Sequence, residues 1–161
     1  MAVNLYSQTE KNNTVGVYAA SGIFVSMGGA GITSVGVDYS RRLSEDWSLS
    51  VGFEQNALGL CNILSYSDRP WQITSIPVLF KHHKKRVDFK YGPVVSAFNL
   101  FDTWDTAWLL GWEYGVCFNR EFNNGIALYL NPYTRFNFVS IRNSGYANMH
   151  AGVSLGIGYK F

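Results

Sequence analysis

Four ionisable residues, Asp38, Glu54, Glu113 and Arg135, are the first candidates for chemistry. Each falls on the polar side of a run in which apolar and polar residues alternate. Acidic groups and a guanidinium aimed into one interior must find partners, so the set reads as a structural polar network. Gating of ion passage by rearrangement of its pairs is the alternative. A second set, Arg42, Lys81, Asp88, Lys90 and Lys160, lies on the same side nearer one end of the runs and reads as a solvated vestibule. His150, with Ser140 or Ser144, is the base and nucleophile that hydrolytic chemistry would need; a hydrogen-bonded interior histidine is the simpler account. The tract His82-His83-Lys84-Lys85-Arg86 reads as a solvated turn whose charge could attract anionic headgroups or an acidic partner. Adjacent histidines on an extended chain point to opposite faces and cannot share a metal. Cys61 and Cys117 match no zinc or redox spacing, and the pattern places them too far apart to bridge. Neither a metal nor a cofactor is expected.

The elements that must position these groups follow from composition and period. A chain of 161 residues suits one domain, and 15% charged against 16% aromatic residues excludes disorder and coiled coil. A net charge of +2 is too near balance for a dedicated nucleic-acid binder. Residues 12–37 carry no charge, which is long enough for a membrane helix, yet Gly28, Gly29 and Gly31 interrupt the stretch and Val, Ile, Thr and Ser flank it. A hairpin fits better. Glu10 and polar neighbours precede that run, so the start does not read as a signal peptide, and export would imply one already removed.

Period two governs the rest. Met149, Ala151, Val153, Leu155, Ile157, Tyr159 and Phe161 alternate with His150, Gly152, Ser154, Gly156, Gly158 and Lys160. The same alternation marks residues 15–26, 34–42, 47–56, 74–81, 87–99, 106–120 and 126–140. Ser44-Glu45-Asp46 and Asn123-Asn124-Gly125 supply tight turns. Eight long antiparallel strands in sequence order close into an up-and-down barrel, which removes exposed edges.

Residue size decides which face is inside. The polar faces are dense in Gly, Ser and Ala, suiting a narrow interior, whereas Trp, Phe, Tyr, Leu, Ile and Val are too bulky to fill an eight-strand lumen together. The apolar face therefore points outward to lipid, and strands of this length match the roughly 9–11 residues needed to cross a bilayer at a tilt. Tyr39, Trp47, Phe89, Phe118, Tyr159 and Phe161 crowd one rim, and Phe101, Trp104, Trp108 and Phe138 the other, as interfacial girdles do. The expected architecture is an all-β, eight-stranded antiparallel transmembrane barrel over residues 14–161, with a filled polar interior.

The closing segment Leu155-Gly-Ile157-Gly-Tyr159-Lys-Phe161 resembles the terminal-aromatic assembly signal of small bacterial outer-membrane β-barrels. Residues 37–49 and 75–81 are similar to segments of porin-like barrels of Bacteroidota type. The resemblance implies the outer membrane, contact with its lipids and with the barrel assembly machinery, and termini in the periplasm. Residues 1–13 would then be a periplasmic segment, and the connections near 28–31, 61–70, 100–105 and 141–146 extracellular and short for the class. Lipid A deacylases and palmitoyltransferases are small barrels that use His and Ser, but neither family's motif is found around His150. The leading expectation is a non-enzymatic structural or interaction protein, such as an accessory subunit of a larger outer-membrane protein. A lipid-modifying enzyme is the second reading and a soluble ligand-binding barrel the third.

Overall fold

Side chains that alternate between bulky apolar and small or polar make a pleated strand with two unlike faces, and closing such strands on themselves puts one face in a tube and the other outside. The computed structural model describes residues 12–25, 30–59, 71–84, 87–99, 106–140 and 148–161. The strands are β1 (Asn13–Phe24), β2 (Ala30–Arg42), β3 (Trp47–Gly59), β4 (Trp71–Lys84), β5 (Val87–Asn99), β6 (Thr106–Glu121), β7 (Ile126–Ser140) and β8 (Asn148–Lys160). Each pairs antiparallel with the next, and β8 pairs with β1 to close the barrel. At the seam Asn13 and Phe161 exchange backbone hydrogen bonds of 3.1 and 2.8 Å. We call the rim that carries this seam proximal and the opposite end distal.

Sidedness follows the expected pattern throughout. Val17, Val35, Phe53, Tyr114 and Phe138 are exposed, and Leu155 reaches 68% exposure, whereas Ser34, Glu54, Ser75, Glu113, Arg135 and Ser154 are buried in the lumen. Trp47, Tyr39, Phe89, Phe118, Tyr159 and Phe161 lie outward near the proximal rim, with Trp108 and Phe138 outward near the distal one. Phe101 and Trp104 fall outside the described residues, as do Cys61 and the connections expected near 61–70, 100–105 and 141–146; of the connection expected near 28–31, Ala30 and Gly31 belong to β2.

Three expectations need correction. First, the strands run further than alternation alone suggests: β2 starts at Ala30, β3 continues to Gly59, and β4 spans Trp71–Lys84. His82, His83 and Lys84 therefore belong to a strand, paired with Phe89, Asp88 and Val87, and are not a solvated turn. Second, the lumen is not polar throughout. Phe24, Ile32, Leu58 and Ile73 form a buried apolar cluster inside its distal end. Third, the lumen is not filled, because a cavity of about 890 Å³ occupies its proximal part.

Proline is tolerated at a cost in pairing. Around inward-facing Pro77 the β3/β4 ladder is interrupted between Val51↔Val78 and Glu54↔Ser75, as expected for a residue without an N–H. Glycine matters where rings enter the tube. A Cβ at Gly156 would collide with the Tyr129 ring, so the missing side chain is what lets that ring lie flat across β8.

A tiered lumen as candidate functional site

The interior divides into three tiers. In the distal tier the Phe24, Ile32, Leu58 and Ile73 cluster is joined by His150. The imidazole of His150 lies 5.2 Å from the Phe24 ring and 5.4 Å from the Tyr133 ring, centroid to centroid. Neither ring nitrogen has a hydrogen-bond partner among the described residues, which corrects the expectation of a hydrogen-bonded histidine. Ser144 and the Ser140 side chain lie outside the described residues. Just below, Ser34 donates to Asn56 Oδ1 at 2.6 Å, Asn56 donates to Ser75 Oγ at 3.2 Å, and the Ser75 and Ser96 hydroxyls meet at 2.9 Å. This chain satisfies hydroxyls and an amide that would otherwise be buried without partners.

The middle tier is built on Arg135, 2% exposed and directly opposite Glu113 across the β6/β7 ladder. Its Nε and Nη2 donate to Glu113 Oε2 at 3.1 and 2.7 Å, and Nη2 also reaches Glu54 Oε2 at 2.9 Å. The Tyr18 hydroxyl donates to the same Glu54 oxygen at 3.2 Å. A planar guanidinium fork is the side chain suited to bridging two carboxylates on different strands. Asp38, grouped with these residues from the sequence, belongs elsewhere. It sits in the proximal tier, where its carboxylate accepts hydrogen bonds from Lys81 Nζ at 3.3 Å, the Tyr129 hydroxyl at 3.0 Å and Ser50 Oγ at 3.3 Å.

The proximal tier also contains a relay that sequence reading missed. His83 Nδ1 donates to Asp88 Oδ1 at 2.9 Å, and His83 Nε2 lies 2.6 Å from Ser48 Oγ. Asn119 Nδ2 donates to the other Asp88 oxygen at 2.6 Å. Four neighbouring strands, β3 to β6, contribute one residue each. The signal was within reach: Asp88 was read as inward, Ser48 lies on the polar side of the alternating run 47–56, and carrying β4 two residues beyond Lys81 turns His83 inward between them.

The remaining predicted charges line the same cavity. Lys160 bonds to Glu121 at 3.1 Å, and Arg42 donates to the carbonyls of Ser44 and Glu45 at 3.0 and 2.8 Å. Lys90 sits opposite Lys81 in the β4/β5 ladder and makes no ion pair within 4 Å among the described residues. Glu54, Glu113, Asp38, Asp88 and Glu121 are each engaged by other groups. Among the described residues Lys90 and Arg42 thus have no carboxylate within ion-pair distance, and Asp38, bonded to Lys81, is the carboxylate whose charge acts on both facing lysines. Among the described residues no group of three or more His, Cys, Asp or Glu is arranged to hold a metal ion.

No family model and no curated protein matches the sequence. Solved structures do match the fold. Neisserial surface protein A superposes with a TM-score of 0.63 at 18% identity, covering 92% of this chain and 97% of that one. Ail, the attachment invasion locus protein of Yersinia pestis, gives 0.58 at 15% identity over 94% of this chain and 99% of its own. A major outer membrane protein from Thermus thermophilus gives 0.54 at 15% identity over 92% and 99%. The fold is thus that of small eight-stranded outer-membrane barrels.

Proposed function

We infer that the chain is an integral protein of the bacterial outer membrane, of porin-like build, serving as a compact accessory subunit of a larger outer-membrane protein. The observation that carries this reading is the largely apolar wall, in which Val17, Val35, Phe53, Tyr114, Phe138 and Leu155 all face outward and the polar Gln55 and Thr74 satisfy each other by a hydrogen bond of 2.9 Å, around a lumen with an apolar cluster at its distal end. Such a wall belongs against hydrocarbon or another apolar protein surface. The proximal rim, with the chain termini, faces the periplasm in this reading, and Leu155, Ile157, Tyr159 and Phe161 present the signal read by the assembly machinery. The buried cluster of Phe24, Ile32, Leu58 and Ile73 in the distal lumen speaks against bulk transport as the role.

The deciding experiment is affinity purification from native outer membranes in mild detergent. A single large membrane protein recovered in fixed ratio supports the accessory reading. Recovery of the barrel alone, with intact folding, refutes it and leaves a free-standing barrel.

A further inference from the structure

We propose that the proximal cavity is a hydrolytic site in which Ser48 is the nucleophile and His83 its general base, acting on small anionic carboxylic esters. The inference rests on geometry rather than on likeness to any relative, and revises the expectation of a protein without enzymatic activity.

Three features carry it. The first is the hydrogen-bonded order of the groups. The Ser48 hydroxyl is 2.6 Å from His83 Nε2, and the opposite ring nitrogen is committed to Asp88 at 2.9 Å. A carboxylate only accepts, so Nδ1 donates to Asp88, and in the neutral imidazole this leaves Nε2 with the lone pair that faces the serine. Asp88 is itself held by Asn119 at 2.6 Å, which fixes the carboxylate and through it the ring. Nucleophile, base and orienting acid in hydrogen-bond sequence are the arrangement that activates a hydroxyl.

The second feature is access. Ser48, His83 and Asp88 all border the cavity of about 890 Å³, which is large enough for a small-molecule substrate. The third is charge. Arg42 and Lys81 occupy the cross-strand positions on either side of Ser48, and Lys90 stands across from Lys81 without an ion pair among the described residues. Like charges in directly opposite positions oppose folding unless an anion lies beside them; Asp38, bonded to Lys81, is the one carboxylate among the described residues that serves both lysines, so an incoming anion would meet positive charge in excess there. Cations beside the nucleophile also suit the negative charge that develops on a carbonyl oxygen under attack.

The chemistry balances with water as the only co-reactant. Ser48 Oγ adds to the ester carbonyl carbon as its proton passes to His83 Nε2. The tetrahedral oxyanion collapses, the carbon–oxygen bond to the alcohol breaks, and the departing oxygen takes the proton from His83. Water then adds to the acyl carbon with His83 again accepting its proton, and the carboxylic acid leaves as Ser48 recovers its hydrogen. Asp88 and Asn119 are positioning residues that never meet substrate.

The test uses the full chain folded in non-ionic micelles, with folding checked by migration of unheated samples. A fluorophosphonate probe should label Ser48, located by peptide mass spectrometry. Hydrolysis of 4-acetoxybenzoate should exceed that of its neutral methyl ester about tenfold. Ser48→Ala and His83→Gln should each lower kcat/KM at least about a hundredfold. Ser96→Ala, a lumen serine of the distal hydrogen-bonded chain and not part of the cavity lining, should change nothing. Asp88→Asn should depress kcat far more than it raises KM, and Lys90→Gln should erase the preference for the anionic ester while Lys90→Arg keeps it. Absence of label on Ser48, or hydrolysis unaffected by Ser48→Ala in folded protein, overturns the proposal. Retained activity with equal use of charged and neutral esters overturns the substrate class. None of these outcomes depends on whether a membrane partner is found.

Discussion

At the scale of single residues, Arg135 has the largest predicted effect on stability. Its guanidinium is buried between Glu54 and Glu113, so truncating it strands two carboxylates in the lumen, with Tyr18 on Glu54 the one other hydrogen-bond donor to them among the described residues. Breaking a buried pair in this way costs about 3–5 kcal/mol, and we expect Arg135→Met to lower the unfolding free energy in urea by that order. Adding Glu54→Gln and Glu113→Gln to the same chain should restore much of the loss, because neutral amides do not need the cation. Equal stability of the single and triple variants would show that the ion cluster is solvated and not a buried one. Tyr129 illustrates a subtler dependence. Its hydroxyl reaches Asp38 only because its ring lies over Gly156. Gly156→Val should displace the ring and cost roughly 1–3 kcal/mol through overpacking, and Tyr129→Ala in the same chain should relieve most of that. Independent, additive losses in this pair would refute the steric account.

At the scale of the strand, what faces outward in β8 is set by period two and nothing else, so a charge placed there tests the whole assignment. Leu155→Arg, near the middle of β8 and 68% exposed, should destabilise a bilayer-reconstituted barrel by roughly 2–4 kcal/mol. Ser154→Arg, one residue away, should instead clash within the lumen. If Leu155→Arg proved neutral in vesicles, the outward wall would not be in hydrocarbon. The alternation made this face legible without coordinates, since each strand carries the signal repeatedly along its length. What alternation could not give was the strand ends. Ile32, Leu58 and Ile73 all lie just beyond the alternating runs recognised in the sequence, so three of the four residues of the apolar plug went unassigned, and only Phe24 lay within a run. His83 was lost for the same reason, at the opposite end of β4. Asp38 was misgrouped because period fixes which way a side chain points but not how far along the tube its partners sit, which depends on the register of strands distant in sequence. Lys81 and Tyr129, its partners, lie on β4 and β7.

At the scale of the whole molecule, the plug and the Arg135 cluster together divide the tube into a dry end and a wet one. We expect vesicles containing the wild-type barrel to retain small entrapped solutes, and Phe24→Ala with Leu58→Ala to increase leakage while the ion cluster still slows it. Leakage from wild-type vesicles equal to that of the double variant would mean that the apolar cluster does not obstruct the lumen.

The hydrogen bonds between Asn13 and Phe161 place the beginning and end of the barrel side by side. The order in which the strands are synthesised is therefore not itself part of the architecture. A circularly permuted chain, with a short linker joining those two points and a new opening cut at residues 43–46 between β2 and β3, retains every ladder of the parent. It also places residues 155–161 in the interior of the permuted chain, so recovery of folded permutant from purified chains but not from cells would separate what the sheet requires from what cellular insertion reads.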